Sequence, residues 1–154
     1  MRLAAGTFTV LAGIPFVNTG TIIAVDGATT ITGQSLFDNQ GLIDLQDGAT
    51  GDVLTIDSDF AGSGDSTLAV DFSGTAADML VIDGAASGST AVDAVFVGGG
   101  LINLHGVVVV DTVSTAANAF LLGAVTGGSP PVDVSLVQEG SDFFLVSTPN
   151  ASLF

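Results

Sequence analysis

The sequence predicts an all-β chain wound into a right-handed, single-stranded parallel β-helix, with about 21 residues per rung and an irregular C-terminal cap. Three observations predict it. Apolar runs are short, β-branched and bounded by Gly, Asp or Asn, which is the punctuation of strands. No segment carries helical periodicity. Residues 16–29 align with 37–50 at a constant offset of 21, with eight identities in fourteen positions. Such a unit is too short to fold alone and suits one coil of a solenoid built from three short strands and three turns.

Along the chain, strands are expected at Thr7–Leu11, Thr21–Val25, Leu42–Leu45, Val53–Ile56, Leu68–Phe72 and Met79–Ile82. They continue at Ala94–Val97, Val107–Val110, Val132–Val137 and Phe143–Val146. Asp26-Gly27, Asp47-Gly48 and Asp83-Gly84 are expected turns, where Gly makes positive φ cheap. The repeat pairs Phe16 with Phe37, Asn18 with Asn39, Gly20 with Gly41, Ile22 with Ile43, and Asp26-Gly27-Ala28-Thr29 with Asp47-Gly48-Ala49-Thr50. In a parallel coil, like residues then stack at about the 4.8 Å strand spacing. Phe and Ile form inward ladders, and Asn18 over Asn39 chains amide hydrogen bonds along a turn.

Residues 1–51 are thus expected to be regular rungs and 52–148 less regular rungs with a cap. Residues 149–154 would begin a linker. Gly62-Ser63-Gly64-Asp65, Gly98-Gly99-Gly100 and Gly127-Gly128-Ser129-Pro130-Pro131 are expected loops. The opening Met1-Arg2-Leu3-Ala4-Ala5 is interrupted by Thr7 and Thr9, and is read as interior to a longer protein, not as a signal peptide.

Composition narrows the function classes. Sixteen acidic residues face one basic residue, Arg2, giving a net charge of −15. Nucleic acid and anionic lipid are disfavoured partners, because both are bound through Lys and Arg. Cysteine is absent, so neither disulfides nor thiolates contribute. No apolar run is long enough for a membrane-spanning helix.

Three groups of residues invite a chemical reading. Gly64-Asp65-Ser66-Thr67-Leu68 could present Ser66 as a nucleophile, with His105 as the sole histidine available as base. However, Thr67-Leu68 follows the serine, the histidine comes later in the chain, and Ile102 stands where a Gly-Asp-Ser-Leu esterase has its Asp. Ser66 is therefore expected in a loop and His105 at a strand end. Polysaccharide cleavage needs a basic residue or an aspartate pair, and Arg2 is the only Lys or Arg. Calcium could be held by Asp52, Asp57, Asp59 and Asp65, but no calcium-loop motif surrounds them. The expectation is a non-enzyme with no catalytic, cofactor or metal site.

The ordered series Asn39–Ile43, Gly51–Ile56, Ser66–Asp71, Ala77–Gly84, Ala86–Thr90, His105–Val110, Val134–Gln138 and Phe143–Thr148 resembles the pertactin-like passengers of autotransporters, in their autochaperone region. The resemblance implies a β-helix exported to the bacterial cell surface beside its own C-terminal outer-membrane β-barrel, with this segment folding first. It implies a stalk and folding seed, with surface adhesion or self-assembly through edge strands as the alternative. No barrel-strand alternation is present in residues 145–154.

Overall fold

The computed structural model describes residues 1–98, 106–127 and 132–149. It is a parallel β-solenoid of about four turns, and the described residues contain no helix. The first level is β1 (Gly6–Thr9), β2 (Pro15–Asn18) and β3 (Thr21–Ile23), and the second is β4 (Ala28–Thr32), β5 (Leu36–Asn39) and β6 (Leu42–Asp44). The third is β7 (Val53–Ile56), β8 (Asp59–Gly62) and β9 (Thr67–Phe72). In the fourth and fifth, the first two strands fuse: β10 (Met79–Gly88) with β11 (Thr90–Phe96), then β12 (Val107–Thr115) with β13 (Phe120–Thr126). Each strand pairs in parallel with its counterpart one level on.

The stacking ends in an antiparallel hairpin of β14 (Val132–Glu139) and β15 (Asp142–Pro149). β15 runs antiparallel to β12. This reversal is the irregular cap: an antiparallel hairpin lies along the β12 edge of the parallel run, and β13 remains the edge of the other sheet.

The 21-residue spacing holds for part of the first turn only. β2 meets β5, and β3 meets β6, at that offset, so Phe16 pairs with Phe37, Asn18 with Asn39 and Ile22 with Ile43. First-strand partners are further apart, at 23, 25, 26 and then 30 residues. The Asp26–Thr29 likeness to Asp47–Thr50 is consequently one of sequence, not of register. Ala28 begins β4 and lies beside Val53, because Ala49, Thr50, Gly51 and Asp52 lengthen the second-level turn. Gly27 and Gly48 do take the expected positive φ, 101° and 90°.

Asp83-Gly84, expected as a turn, lies inside β10 at a bulge between Ile82 and Ala85. A Cβ on Gly84 would stand 2.5 Å from Asp59 Oδ1 and 2.7 Å from Ser58 O, so this residue is small for close approach and not for turning. Asp59 Oδ1 accepts the next N–H, from Ala85, at 2.8 Å.

Ladders of like residues fill the interior. Leu54 and Leu80 stack in one file, Ile31, Ile56 and Ile82 in the next, and Ile22, Ile43, Leu68 and Val92 on the third face; all are buried. Phe16, Phe37 and Phe60 stack with centroids 5.2 and 5.8 Å apart. At the fourth level Ala86 takes the Phe position beside Phe60. The gap is filled from another strand: Phe120, on β13, stacks on Phe60 at 5.8 Å and meets Phe143 of the cap edge-on at 5.2 Å. An aromatic file thus runs from the first level into the cap.

Candidate functional site

Ser66 is not displayed as a nucleophile. It is buried, and it continues the asparagine ladder expected at Asn18 and Asn39. Asn18 Nδ2 donates to Asn39 Oδ1 at 2.8 Å, Asn39 Nδ2 donates to Ser66 Oγ at 2.9 Å, and Ser66 Oγ shares a 2.7 Å hydrogen bond with Thr90 Oγ1. The ladder satisfies polar groups that the narrow interior would otherwise leave bare. It also has a direction, since each amide donates toward the next level. His105 and Ile102 lie outside the described residues.

Asp52, Asp57, Asp59 and Asp65 are dispersed and do not gather around a calcium site. Asp57 accepts Thr32 Oγ1, Asp59 accepts Ala85 N, and Asp65 borders a shallow groove with Ser66, Thr67, Ser89 and Ala91. Asp52 turns inward. Among the described residues no three His, Asp or Glu side chains are placed to hold a metal ion.

Asp52 belongs instead to a set of carboxylates that sequence reasoning did not find. Its Oδ1 accepts the Gly27 N–H at 2.9 Å, tying the third level to the turn below. Asp78 is fully buried and accepts two backbone N–H groups, Asp52 at 3.0 Å and Asp71 at 2.7 Å. Asp71, 1% exposed, accepts the N–H groups of Asp47 and Gly48, both at 2.8 Å, with Oδ2. Three carboxylates therefore clasp the turns of successive levels. The only Lys or Arg, Arg2, is spent on an exposed pair with Asp26 at 2.9 Å. With no cation beside it, burial pushes the Asp78 carboxyl up to about 7, against the pull of its two N–H donors. Burial raises Asp52 as well. At the cap seam Asp111 on β12 is raised by burial and by Asp142 facing it from β15.

The two ends of the solenoid differ. At the C-terminal end the hairpin covers β12 and inserts Phe143 and Leu145 into the core, while β13 is a sheet edge with Leu121, Leu122 and Val125 exposed. At the other end β1 and β2 are sheet edges among the described residues. Only β3 is covered there, by Met1–Leu3: Arg2 bridges Ile23, and Leu3 is buried. Phe8, Leu11, Ile14 and Val17 stay exposed, and Val10, Leu11, Ile14, Pro15 and Phe16 line an apolar groove.

No protein-family model matches the chain. It is similar to the uncharacterized protein YuaQ of Escherichia coli (strain K12), 39% identical over 90 residues that make up 56% of this chain and 7% of that protein. The chain thus spans only a small part of the length of the curated relative it matches.

Proposed function

We propose that this chain is a structural, non-catalytic stalk end of a secreted autotransporter-type passenger, displayed at the bacterial cell surface, whose capped C-terminal coils seed the folding of the rest. The outer-membrane barrel implied by the sequence resemblance is its membrane partner. The observation that carries the reading is the antiparallel hairpin, which pairs with β12 and places Phe143 and Leu145 in the core that the solenoid levels share. Parallel pairing between distant strands is slow to begin, because loop-closure entropy is lost before contacts form. A finished end lowers that cost, since each level templates the backbone bonds of the next.

Separate expression of residues 52–148 and 1–51 tests the reading by circular dichroism. The C-terminal piece keeps Asp71, Asp78 and the hairpin, and is expected to fold. The N-terminal piece loses Asp52, which holds Gly27, and Asp71, which holds Asp47 and Gly48, and is expected to stay unfolded. A folded N-terminal piece beside an unfolded C-terminal one would refute the seed.

Self-assembly is the second reading, favoured by the open β1 edge, which has neither charge nor Pro within Gly6–Thr9. The charge of −15 opposes it, so association is expected to rise with salt and on acidification toward the pI of about 4.1. Val10 N bonds inward to Thr32 O, so Thr9 N–H points to the open side. Thr9→Pro removes that donor, and light scattering is expected to show weaker association than in the parent. Equal association in both would exclude the β1 edge.

A further inference from the structure

We infer that Asp52 and Asp71 act as chemical guards: each binds the backbone N–H whose nitrogen would otherwise convert an exposed Asp-Gly step of this chain to isoaspartate. The inference is independent of the seed reading. Asp-Gly is the dipeptide most open to this change, because glycine has no side chain to shield its nitrogen. The glycine nitrogen attacks Cγ of the preceding aspartic acid, its proton and the carboxyl OH leave as water, and a cyclic imide forms. Water then opens the ring at either carbonyl, so the step is redox-neutral and the water lost is regained. Opening at the main-chain carbonyl leaves the chain running through the side-chain carbon, as isoaspartate.

The chain has three Asp-Gly steps, and in all three the aspartate is exposed. Asp83-Gly84 lies within β10, whereas Asp26-Gly27 and Asp47-Gly48 stand in turns between strands. Both turn nitrogens are held in the same way from unrelated places. Gly27 N–H donates to Asp52 Oδ1 at 2.9 Å, and Gly48 N–H donates to Asp71 Oδ2 at 2.8 Å. Asp52 immediately precedes β7, 25 residues beyond Gly27, whereas Asp71 lies within β9, 23 residues beyond Gly48. The coil repeat does not carry one guard onto the other, so what they share is the atom they bind.

A carboxylate on the amide N–H opposes the reaction twice. It makes the nitrogen harder to deprotonate, which the attack requires, and it holds the nitrogen toward the next level, away from its own aspartate. The side chain under attack is engaged as well. Asp47 Oδ1 accepts the Ala49 N–H at 2.9 Å, and Asp26 Oδ1 accepts Arg2 Nη2 at 2.9 Å. Both guards are buried, so water competes poorly for them. Asp78 fixes the pair, because its two oxygens accept the Asp52 and Asp71 N–H groups.

The test keeps the full chain and its Asp52→Ala and Asp71→Ala variants folded at neutral pH, below their melting temperatures. Isoaspartate is then located by enzymatic methyl labelling and peptide mass spectrometry. Losing a hydrogen bond to a charged group corresponds to about a tenfold change or more. Asp52→Ala is expected to raise isoaspartate at residue 26 by that factor, with residues 47 and 83 at the parent level. Asp71→Ala is expected to raise it at residue 47 alone. Adding Asp26→Glu to Asp52→Ala, which would demand a larger ring, is expected to abolish the product. Among the described residues Asp52 accepts one N–H, so Asp52→Ala decides the matter even if Asp71→Ala does not fold. No rise at the matching step, or an equal rise at all three steps, would overturn the assignment. So would a parent chain that accumulates isoaspartate at residues 26 and 47 as fast as unstructured peptides of the same sequence.

Discussion

Ile82→Asp is expected to lower the melting temperature by about 10 °C or more, or to leave the chain unfolded. Ile82 is 1% exposed and stacks directly on Ile56, with Thr112 at the level above. No cation is within the sequence's means to pair a new carboxylate there. Burying it uncompensated costs about 4 kcal/mol or more, a large share of the ~5–15 kcal/mol that holds a domain folded. Ile82→Val removes one methyl group and is expected to cost only about 0.5–1.5 kcal/mol. Thermal melts of both variants check this. Ile82→Asp melting within a degree or two of the parent would mean the file of stacked aliphatics is not the core.

The second large effect concerns pH. The folded Asp78 carboxyl titrates near 7, above its ordinary value of 3.8. Between those values the folded chain keeps a proton that the unfolded chain has released, so stability falls as pH rises through the window. One proton amounts to at most ~1.4 kcal/mol per pH unit. Asp52 and Asp111 are raised too, and act in the same direction. The chain is expected to melt at a clearly higher temperature at pH 5 than at pH 8. Asp78→Asn should flatten that profile, while costing about 1–3 kcal/mol at pH 5 because its NH2 must face a backbone N–H. Denaturation at pH 5 to 8 decides the matter. A profile that rises with pH, or an Asn variant that keeps the parent slope, would remove Asp78 as its source.

The legible parts of the sequence were those where one local geometry repeats. Phe16 and Phe37, Asn18 and Asn39, and Ile22 and Ile43 share a turn of constant length, so identity and register coincide. The likeness of Asp26–Thr29 to Asp47–Thr50 misled because turn chemistry favours Asp-Gly wherever φ is positive, whatever the coil length around it. Three features had no sequence signal. Ser66 replaces an amide with a hydroxyl in the ladder. Phe120 fills from another strand the place that Ala86 leaves. Asp78 finds Asp52 26 residues away, through a turn whose length no residue pattern announces. Position along a solenoid is kept by stacking, and stacking tolerates such exchanges as long as volume and hydrogen bonds are preserved.

Pulse-labelled amide exchange during refolding of the full chain tests the seed most directly. The account predicts that amides of β10, β12 and β15 become protected before those of β1 to β6, with protection advancing level by level toward the open end. Protection that begins in β1 to β6, or that appears at all levels together, would contradict it.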